Sequence, residues 1–214
     1  MFKDRLDAAH QLAEALSDCR GLHPLVLAIP RGAVPMAQVI AMQLGGDMDV
    51  VLVRKLRAPL MPEVAVGAID ESGRVYLNHE ARRMGADATY LQQEEKLQLA
   101  TLRRRRHLYS TMGRPADLAG RTVIVVDDGL ATGATMIAAL ASVRQQNPAR
   151  LVCAVPVASA EALAAIRPLA DDVVCLSVPY DFEGVGQFYR DFAQVTDDEV
   201  LRCLQANGTQ ADAS

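Results

Sequence analysis

The run Thr122-Val-Ile-Val-Val126, followed without a spacer by Asp127-Asp128-Gly129-Leu130-Ala131-Thr132-Gly133-Ala134-Thr135, leaves this chain few ways to fold. Five consecutive β-branched residues read as a strand buried on both faces of a parallel sheet, and the apolar series after Thr135 reads as a helix. The turn between them carries unusual chemistry. Two carboxylates stand where the strand ends, and Ala131, Gly133 and Ala134 are small enough to let the backbone aim several N–H groups at one anion. Thr132 and Thr135 add hydroxyl donors, and the positive end of the following helix favours a phosphate. Adjacent carboxylates cannot hold that phosphate, but they suit the vicinal hydroxyls of an attached sugar, or a Mg²⁺. The loop therefore reads as a cradle for ribose 5-phosphate. A P-loop would need Gly-Lys-Ser/Thr at the helix start and a dinucleotide fingerprint three spaced glycines, and neither is present. A turn serving only packing is the bland alternative, and it has no use for two carboxylates beside two threonines.

The rest of the chain repeats the strand-loop-helix unit. Phe2, Leu6, Ala9, Leu12, Ala13 and Leu16 recur at helical spacing, and Gly21 and Pro24 end that helix. Leu25 to Ile29 is an apolar strand, Pro30-Arg31-Gly32-Ala33 a second strand-to-helix turn, and Val34 to Leu44 the helix behind it. Parallel sheets bind ligands at the carboxyl ends of their strands, which favours an anion at this turn over a solvated arginine. Val50 to Val53 reads as a third strand running into Arg54-Lys55-Leu56-Arg57, with cations at its carboxyl end; a solvated edge is the alternative. Val64 to Ile69 and Val75 to Leu77 are further strands joined by a hairpin-like turn. Tyr90 to Tyr109 is a charged helix with Leu91, Leu97, Leu102 and Leu108 as its apolar stripe. Its Arg103-Arg104-Arg105-Arg106 run reads as a solvated or subunit-contacting face. Beyond the central loop come a strand over Leu151 to Val157, a helix over Ala160 to Leu169 and a strand over Asp172 to Val178. Such alternation specifies βαβ units and a parallel sheet covered on both faces.

Composition narrows the function. With 214 residues, half of them hydrophobic, the chain suits one core better than two, and a single domain is expected over 1–205. A net charge of −4 offers no global basic field, and nothing aromatic interleaves with the arginine run, so nucleic acid is not an expected partner. No apolar run is long enough for a membrane span and the N-terminus carries no apolar signal region, so a cytoplasmic location is expected. Cys19, Cys153, Cys175 and Cys203 are scattered, as are the histidines, which points to reduced structural cysteines rather than a zinc site. Five of the nine aromatic residues lie between Tyr180 and Phe192, as a lid anchored on the core or as the wall of a pocket for a planar acceptor. Thr196 caps a last short helix to about Gln205, and residues 206–214 read as a disordered tail.

From about Leu25 to Val178 the chain resembles the type I phosphoribosyltransferases, in which a hydrophobic strand leads to two acidic residues and a Thr-Gly-x-Thr phosphate loop. Val123 to Thr135 carries the most specific part of that resemblance. Gly129 departs from it, standing where a branched aliphatic residue is usual, a change expected to loosen the turn. The resemblance implies an α/β fold of three layers, α/β/α, with a mainly parallel central sheet and a small hood that chooses the acceptor; residues 179–205 could contribute to it. It also implies transfer of a 5-phosphoribosyl group from phosphoribosyl pyrophosphate to a nucleobase or other small acceptor, with Mg²⁺ as cofactor. Residue by residue it places Asp127 and Asp128 at the ribose and Mg²⁺, and Ala131, Thr132, Gly133, Ala134 and Thr135 at the 5-phosphate. Arg31, Gly32, Ala33, Arg54 and Lys55 fall at the pyrophosphate, with Lys55 grouped with the two aspartates as catalytic. At Pro30-Arg31 it implies a cis peptide that is not an X-Pro bond. Pro59 to Asn78 matches in position a mobile loop, in which Glu63 is a candidate ligand or base. A homodimer is compatible with the resemblance. Two other classes stay open, a regulatory module that binds phosphoribosyl pyrophosphate without turnover and a hydrolase of nucleotides or sugar phosphates using the same loop.

Overall fold

A computed structural model describes residues 1–61, 64–77, 81–109 and 116–211. Five strands, β1 (Leu25–Ala28), β2 (Asp47–Val50), β6 (Thr122–Val126), β7 (Arg150–Val157) and β8 (Asp172–Ser177), form one sheet in the order β2-β1-β6-β7-β8. Every neighbouring pair in it is parallel. Strand side chains alternate in direction, so a strand buried on both faces feeds two cores. Val26, Ala28, Ile124, Val126, Val152 and Ala154 face one core; Leu25, Leu27, Val123, Val125, Leu151, Cys153 and Val155 face the other. The first is closed by α1 (Arg5–Ala15), α2 (Val34–Leu44) and α6 (Asp197–Ala211), the second by α4 (Ala134–Arg144) and α5 (Ala160–Ile166). The result is the expected three-layer α/β/α fold with a mainly parallel sheet.

The order of the strands locates the site. From β1 the chain crosses outward to β2 through α2, and from β6 it crosses the other way to β7 through α4, so the direction of winding reverses between β1 and β6. A reversal of this kind opens a crevice at the carboxyl ends of the two strands. Ala28 pairs with Val126, and the Ile29 amide donates to the Val126 carbonyl at 3.0 Å. The turns Pro30–Ala33 and Asp127–Gly133 therefore leave the sheet side by side.

Four parts of the sequence reading change. The apolar run through Val53 is not one strand: β2 ends at Val50, Val51 makes a last bond to the Ala28 carbonyl at 3.0 Å, and β1 offers nothing further to pair with. The chain turns away into β3 (Val53–Arg57), which pairs antiparallel with β4 (Ala65–Asp70), itself paired with β5 (Val75–Leu77), so Arg54 and Lys55 lie within a strand of a small second sheet. On α3 (Ala88–Leu108), Leu97 and Leu108 are exposed, and the buried face is Glu94, Gln98 and Leu102. Nor is the arginine run a purely solvated face. Arg106 donates from Nε and Nη2 to both carboxylate oxygens of Glu71 and lies 3.6 Å from Asp49, with its side chain 18% exposed. At the C-terminus α6 continues to Ala211, past the expected end near Gln205, and 212–214 lie outside the described residues, as does Glu63.

Arg106 ties α3 to β2 and to the β4–β5 turn, and its removal leaves Glu71 and the buried Asp49 without their cation. Arg106→Met is expected to lower the unfolding free energy by about 3 kcal/mol, the usual cost of stranding a buried charge. Chemical denaturation checks this, and a change under about 0.5 kcal/mol, the range of ordinary surface substitutions, would show that the pair contributes nothing.

Candidate active site

The loop after β6 is shaped by its small residues and by bonds to its neighbours. Leu130 is buried and joins the loop to β7, its amide donating to the Val157 carbonyl at 2.9 Å while its carbonyl accepts from the Ser159 amide at 3.0 Å. Ser159 Oγ also donates to the Ala131 carbonyl at 2.9 Å. Gly133 takes a left-handed conformation (φ 70°) at the N-cap of α4, which a side chain would resist. The first amides of a helix have no intrahelical acceptor, and at this helix start Ala134 N–H reaches Thr132 Oγ1 at 3.4 Å. Asp127, residues 129–136 and Val185 enclose a hollow of about 180 Å³ around these amides. Ala131, Thr132, Gly133, Ala134 and Thr135 thus come together in one concave surface at a helix N-terminus.

On the other side of Thr135 lies a cavity of about 240 Å³. Its wall is made by Ile29 and Pro30, the turn at Val51 and Leu52, and four cations, Arg54, Lys55, Arg57 and Arg105, with no carboxylate among the lining residues. Gln98 Oε1 accepts from Arg54 Nε at 2.9 Å and fixes that side chain. Burial, and then the charges of Arg105 and Arg57, push the Arg54 pKa down, the mark of crowded cations. Thr135 lines both hollows, so the two lie on either side of one residue. Arg54 and Lys55 share the wall of one cavity, in a strand other than the expected one, and Arg105 joins them from α3. Arg31 does not line this cavity. Its Nη1 lies 3.7 Å from Asp197 at the start of α6. The bond between Pro30 and Arg31 is cis, as the resemblance implied.

Asp127 lines the first hollow and Asp128 follows it, and the acidic pair is tightly held. Asp127 Oδ1 accepts from the Asp128 amide at 2.9 Å. Arg5 donates to Asp128 Oδ2 from Nε at 2.9 Å, with Nη2 also at 2.9 Å, and Tyr189 Oη donates to the Asp128 carbonyl at 2.7 Å. Burial raises the Asp127 pKa well above the usual carboxylate range, and the neighbouring Asp128 charge raises it further. Burial also raises Asp128, against the lowering effect of Arg5. Gly32 makes room for the acidic pair: a Cβ there would overlap the Asp128 carboxylate and lie 3.3 Å from Arg5 Nε. Ala33 is fully buried behind it, at the N-cap of α2.

The aromatic segment divides. Tyr189 and Phe192 stack with centroids 4.8 Å apart, Tyr189 contacts Phe2, and both rings pack against the core. Phe182 instead lines a surface hollow with Ala131 and Thr132. Val185 accounts for the odd glycine in the loop, because a Cβ on Gly129 would stand 2.6 Å from Val185 Cγ1 and 3.1 Å from Val157 Cγ1. Gly129 therefore does not loosen the turn; valine from a distant segment fills the space a branched residue would take. Arg5, Arg105 and Val185 are the site neighbours that sequence reasoning missed. Only Arg105 carried a signal, as part of the arginine run.

A model of the phosphoribosyl transferase domain matches residues 3–193. Two curated proteins of Mycobacterium tuberculosis, from strains CDC 1551 and H37Rv, bear the provisional name phosphoribosyl transferase and are each 42% identical over 205 residues. The match takes in 95% of this chain but 46% of those proteins, so the chain spans about half their length. A crystal structure of a Thermus thermophilus protein superimposes with a TM-score of 0.89 at 48% identity, over 96% of this chain and 98% of that one. A hypothetical protein from Neisseria gonorrhoeae, solved with bound ppGpp, shares the fold alone, with a TM-score of 0.54 at 15% identity over 96% of both chains.

The raised Asp127 pKa has a measurable sign. A carboxyl that holds its proton more firmly when folded costs nothing below the unfolded value, where both states are protonated. The cost grows as pH rises from the unfolded value to the folded one and is constant beyond it. Asp127→Asn is therefore expected to raise Tm at pH 7, with the gain shrinking toward zero below about pH 4. A lower Tm for the variant across that range would show that the charged carboxylate stabilises the fold.

Proposed function

The chain belongs to the phosphoribosyl transferase family, and on that premise we propose that it transfers a 5-phosphoribosyl group from phosphoribosyl pyrophosphate to a small acceptor, releasing pyrophosphate. The observation that carries this reading is a pair of hollows that share Thr135, with Asp127 in the wall of the first. One is a helix N-terminus lined by small residues, the other a cavity with four cations and no lining carboxylate. A donor with a monophosphate at one end, a sugar with vicinal hydroxyls in the middle and a diphosphate at the other matches that sequence of surfaces.

The transfer passes through a state with positive charge on the sugar ring and growing negative charge on the leaving diphosphate, so catalysis rests on positioning and charge stabilisation. The amides and hydroxyls of residues 131–135 bind the 5-phosphate. Asp127 and Asp128 accept hydrogen bonds from the ribose hydroxyls and orient the ring. Lys55 and Arg54, with Arg105 beside them, take up charge on the pyrophosphate as it departs; of the Pro30–Ala33 turn it is Pro30 that lines the same cavity. Arg31, turned toward Asp197, would have to leave that pairing to join them. Among the described residues no group of three or more acidic, histidine or cysteine side chains forms a metal cage, so a Mg²⁺ would rest on one or two carboxylates and on substrate oxygens, as Mg²⁺ commonly does. When bound it would supply charge to the diphosphate. Residues 179–205, whose Val185 lines the phosphate hollow, whose Phe182 lines the surface hollow beside it and whose Tyr180 is fully exposed, would form part of the wall on the acceptor side.

The direct test incubates the protein with phosphoribosyl pyrophosphate, Mg²⁺ and a panel of nucleobases, with pyrophosphate followed in time. Release that requires one acceptor, and a nucleotide formed in equal amount, is the expected result. Release of pyrophosphate with free ribose 5-phosphate and no acceptor would instead make the protein a hydrolase. Tight binding without turnover across the panel would make it a regulatory binding module.

A further inference from the structure

Asp128 is more elaborately enclosed than a loop carboxylate needs to be. Its Oδ2 receives both Nε and Nη2 of Arg5 at 2.9 Å, while Arg5 Nη1 donates to the Ala193 carbonyl at 2.6 Å. The guanidinium lies 3.8 Å from the centre of the Phe192 ring, a cation–π contact, and the side chain is 12% exposed. Three separate segments build this arrangement. Residues 2 and 3 pair with residues 188–191, through Phe2 N–H to the Phe188 carbonyl at 2.8 Å and Asp191 N–H to the Lys3 carbonyl at 3.0 Å, which fixes the start of α1 where Arg5 sits. Gly32 contributes the room that the carboxylate occupies. The segment after Tyr189 contributes the ring and the carbonyl that hold the arginine.

From this geometry we propose that Arg5 is the resident cation of the acidic pair and stands at Asp128 where a divalent metal would otherwise bind. The proposal deepens the sugar-phosphate reading of the loop and rests on it. An arginine held by two hydrogen bonds, a backbone carbonyl and an aromatic face has little freedom to leave, unlike a long side chain on a surface. It fills the lone-pair directions of Oδ2, so Asp128 turns its other oxygen to the ribose. The second oxygen of each carboxylate receives no hydrogen bond from another described side chain, which leaves two acceptors for two vicinal hydroxyls. A divalent ion approaching Asp128 would meet a fixed positive charge. Arg5 thus acts as a positioning residue that makes sugar binding independent of metal, and any Mg²⁺ that accompanies the diphosphate is left to Asp127 and substrate oxygens.

The test compares the parent protein with Arg5→Gln and Arg5→Lys in two measurements. Mn²⁺ binding, read by electron paramagnetic resonance without sugar phosphate, is expected to be tighter in Arg5→Gln by about tenfold, because one opposing charge is gone, and nearly unchanged in Arg5→Lys. Ribose 5-phosphate affinity, read by calorimetry, is expected to be the same for the parent with Mg²⁺ or with a chelator. In Arg5→Gln it should fall with the chelator and return when Mg²⁺ is added. A purely structural tie would not be replaced by a metal ion. If Arg5→Gln does not fold, Phe192→Leu loosens the same guanidinium and must move Mn²⁺ affinity in the same direction. Equal Mn²⁺ affinity in folded parent and variant, or parent binding that a chelator abolishes, overturns the proposal. If ribose 5-phosphate binds to neither protein, the sugar-phosphate reading fails, and the Mn²⁺ comparison still decides what Arg5 does.

Discussion

Two carboxylates on consecutive residues at the end of a buried strand cannot both carry charge in a low-dielectric setting without compensation. Much of the structure around the switch between β1 and β6 meets that constraint. Arg5 comes from the first turn of α1, Gly32 omits the atom that would displace Asp128, and Tyr189 braces the Asp128 backbone. The N-terminal segment is in turn held by pairing with residues 188–191. Loop, N-terminus and C-terminal segment are therefore one unit. The compensation is partial: one arginine faces two acids, and Asp127 keeps a raised pKa. A site that prefers to gain positive charge or hydrogen-bond donors suits a sugar, whose hydroxyls supply donors without adding a second fixed charge.

The part of the molecule legible in the sequence is the part governed by local rules. β6, α2 and β5 have the bounds that patterning suggests, because unbroken β-branched runs, a proline in the first helical turn and a glycine turn each act over a few residues. The turn from β6 into α4 was legible for the same reason, its small residues and threonines being written in nine consecutive positions. The break between β2 and β3 was not, since the apolar run from Val50 to Val53 carries no turn signal; the strand stops because its partner β1 does. On α3 Leu102 is buried as expected, but the other buried positions are Glu94 and Gln98, which accept from the Arg57 amide and from Arg54 Nε, so a search for an apolar stripe misplaced part of the face. Arg5 and Asp128 are 123 residues apart, and no periodicity links them.

Gly129 and Val185 illustrate how a departure from a family pattern is read in three dimensions. In sequence the glycine replaces a branched residue and suggests a looser loop. In space the volume is supplied by Val185, so packing is kept while its source moves to the aromatic segment. The segment that meets the phosphate loop through Phe182 and Val185 is thereby also the segment that holds Arg5 through Phe192.

The central claim is that a sugar phosphate lies across the acidic pair with its phosphate on the amides that open α4. A crystal structure of the protein with ribose 5-phosphate tests this most directly. The account predicts phosphate oxygens within hydrogen-bond reach of the backbone of residues 131–135, ribose hydroxyls on Asp127 and Asp128, and Arg5 still on Asp128 Oδ2. A sugar phosphate bound elsewhere, or a loop left empty at saturating ligand, would contradict it.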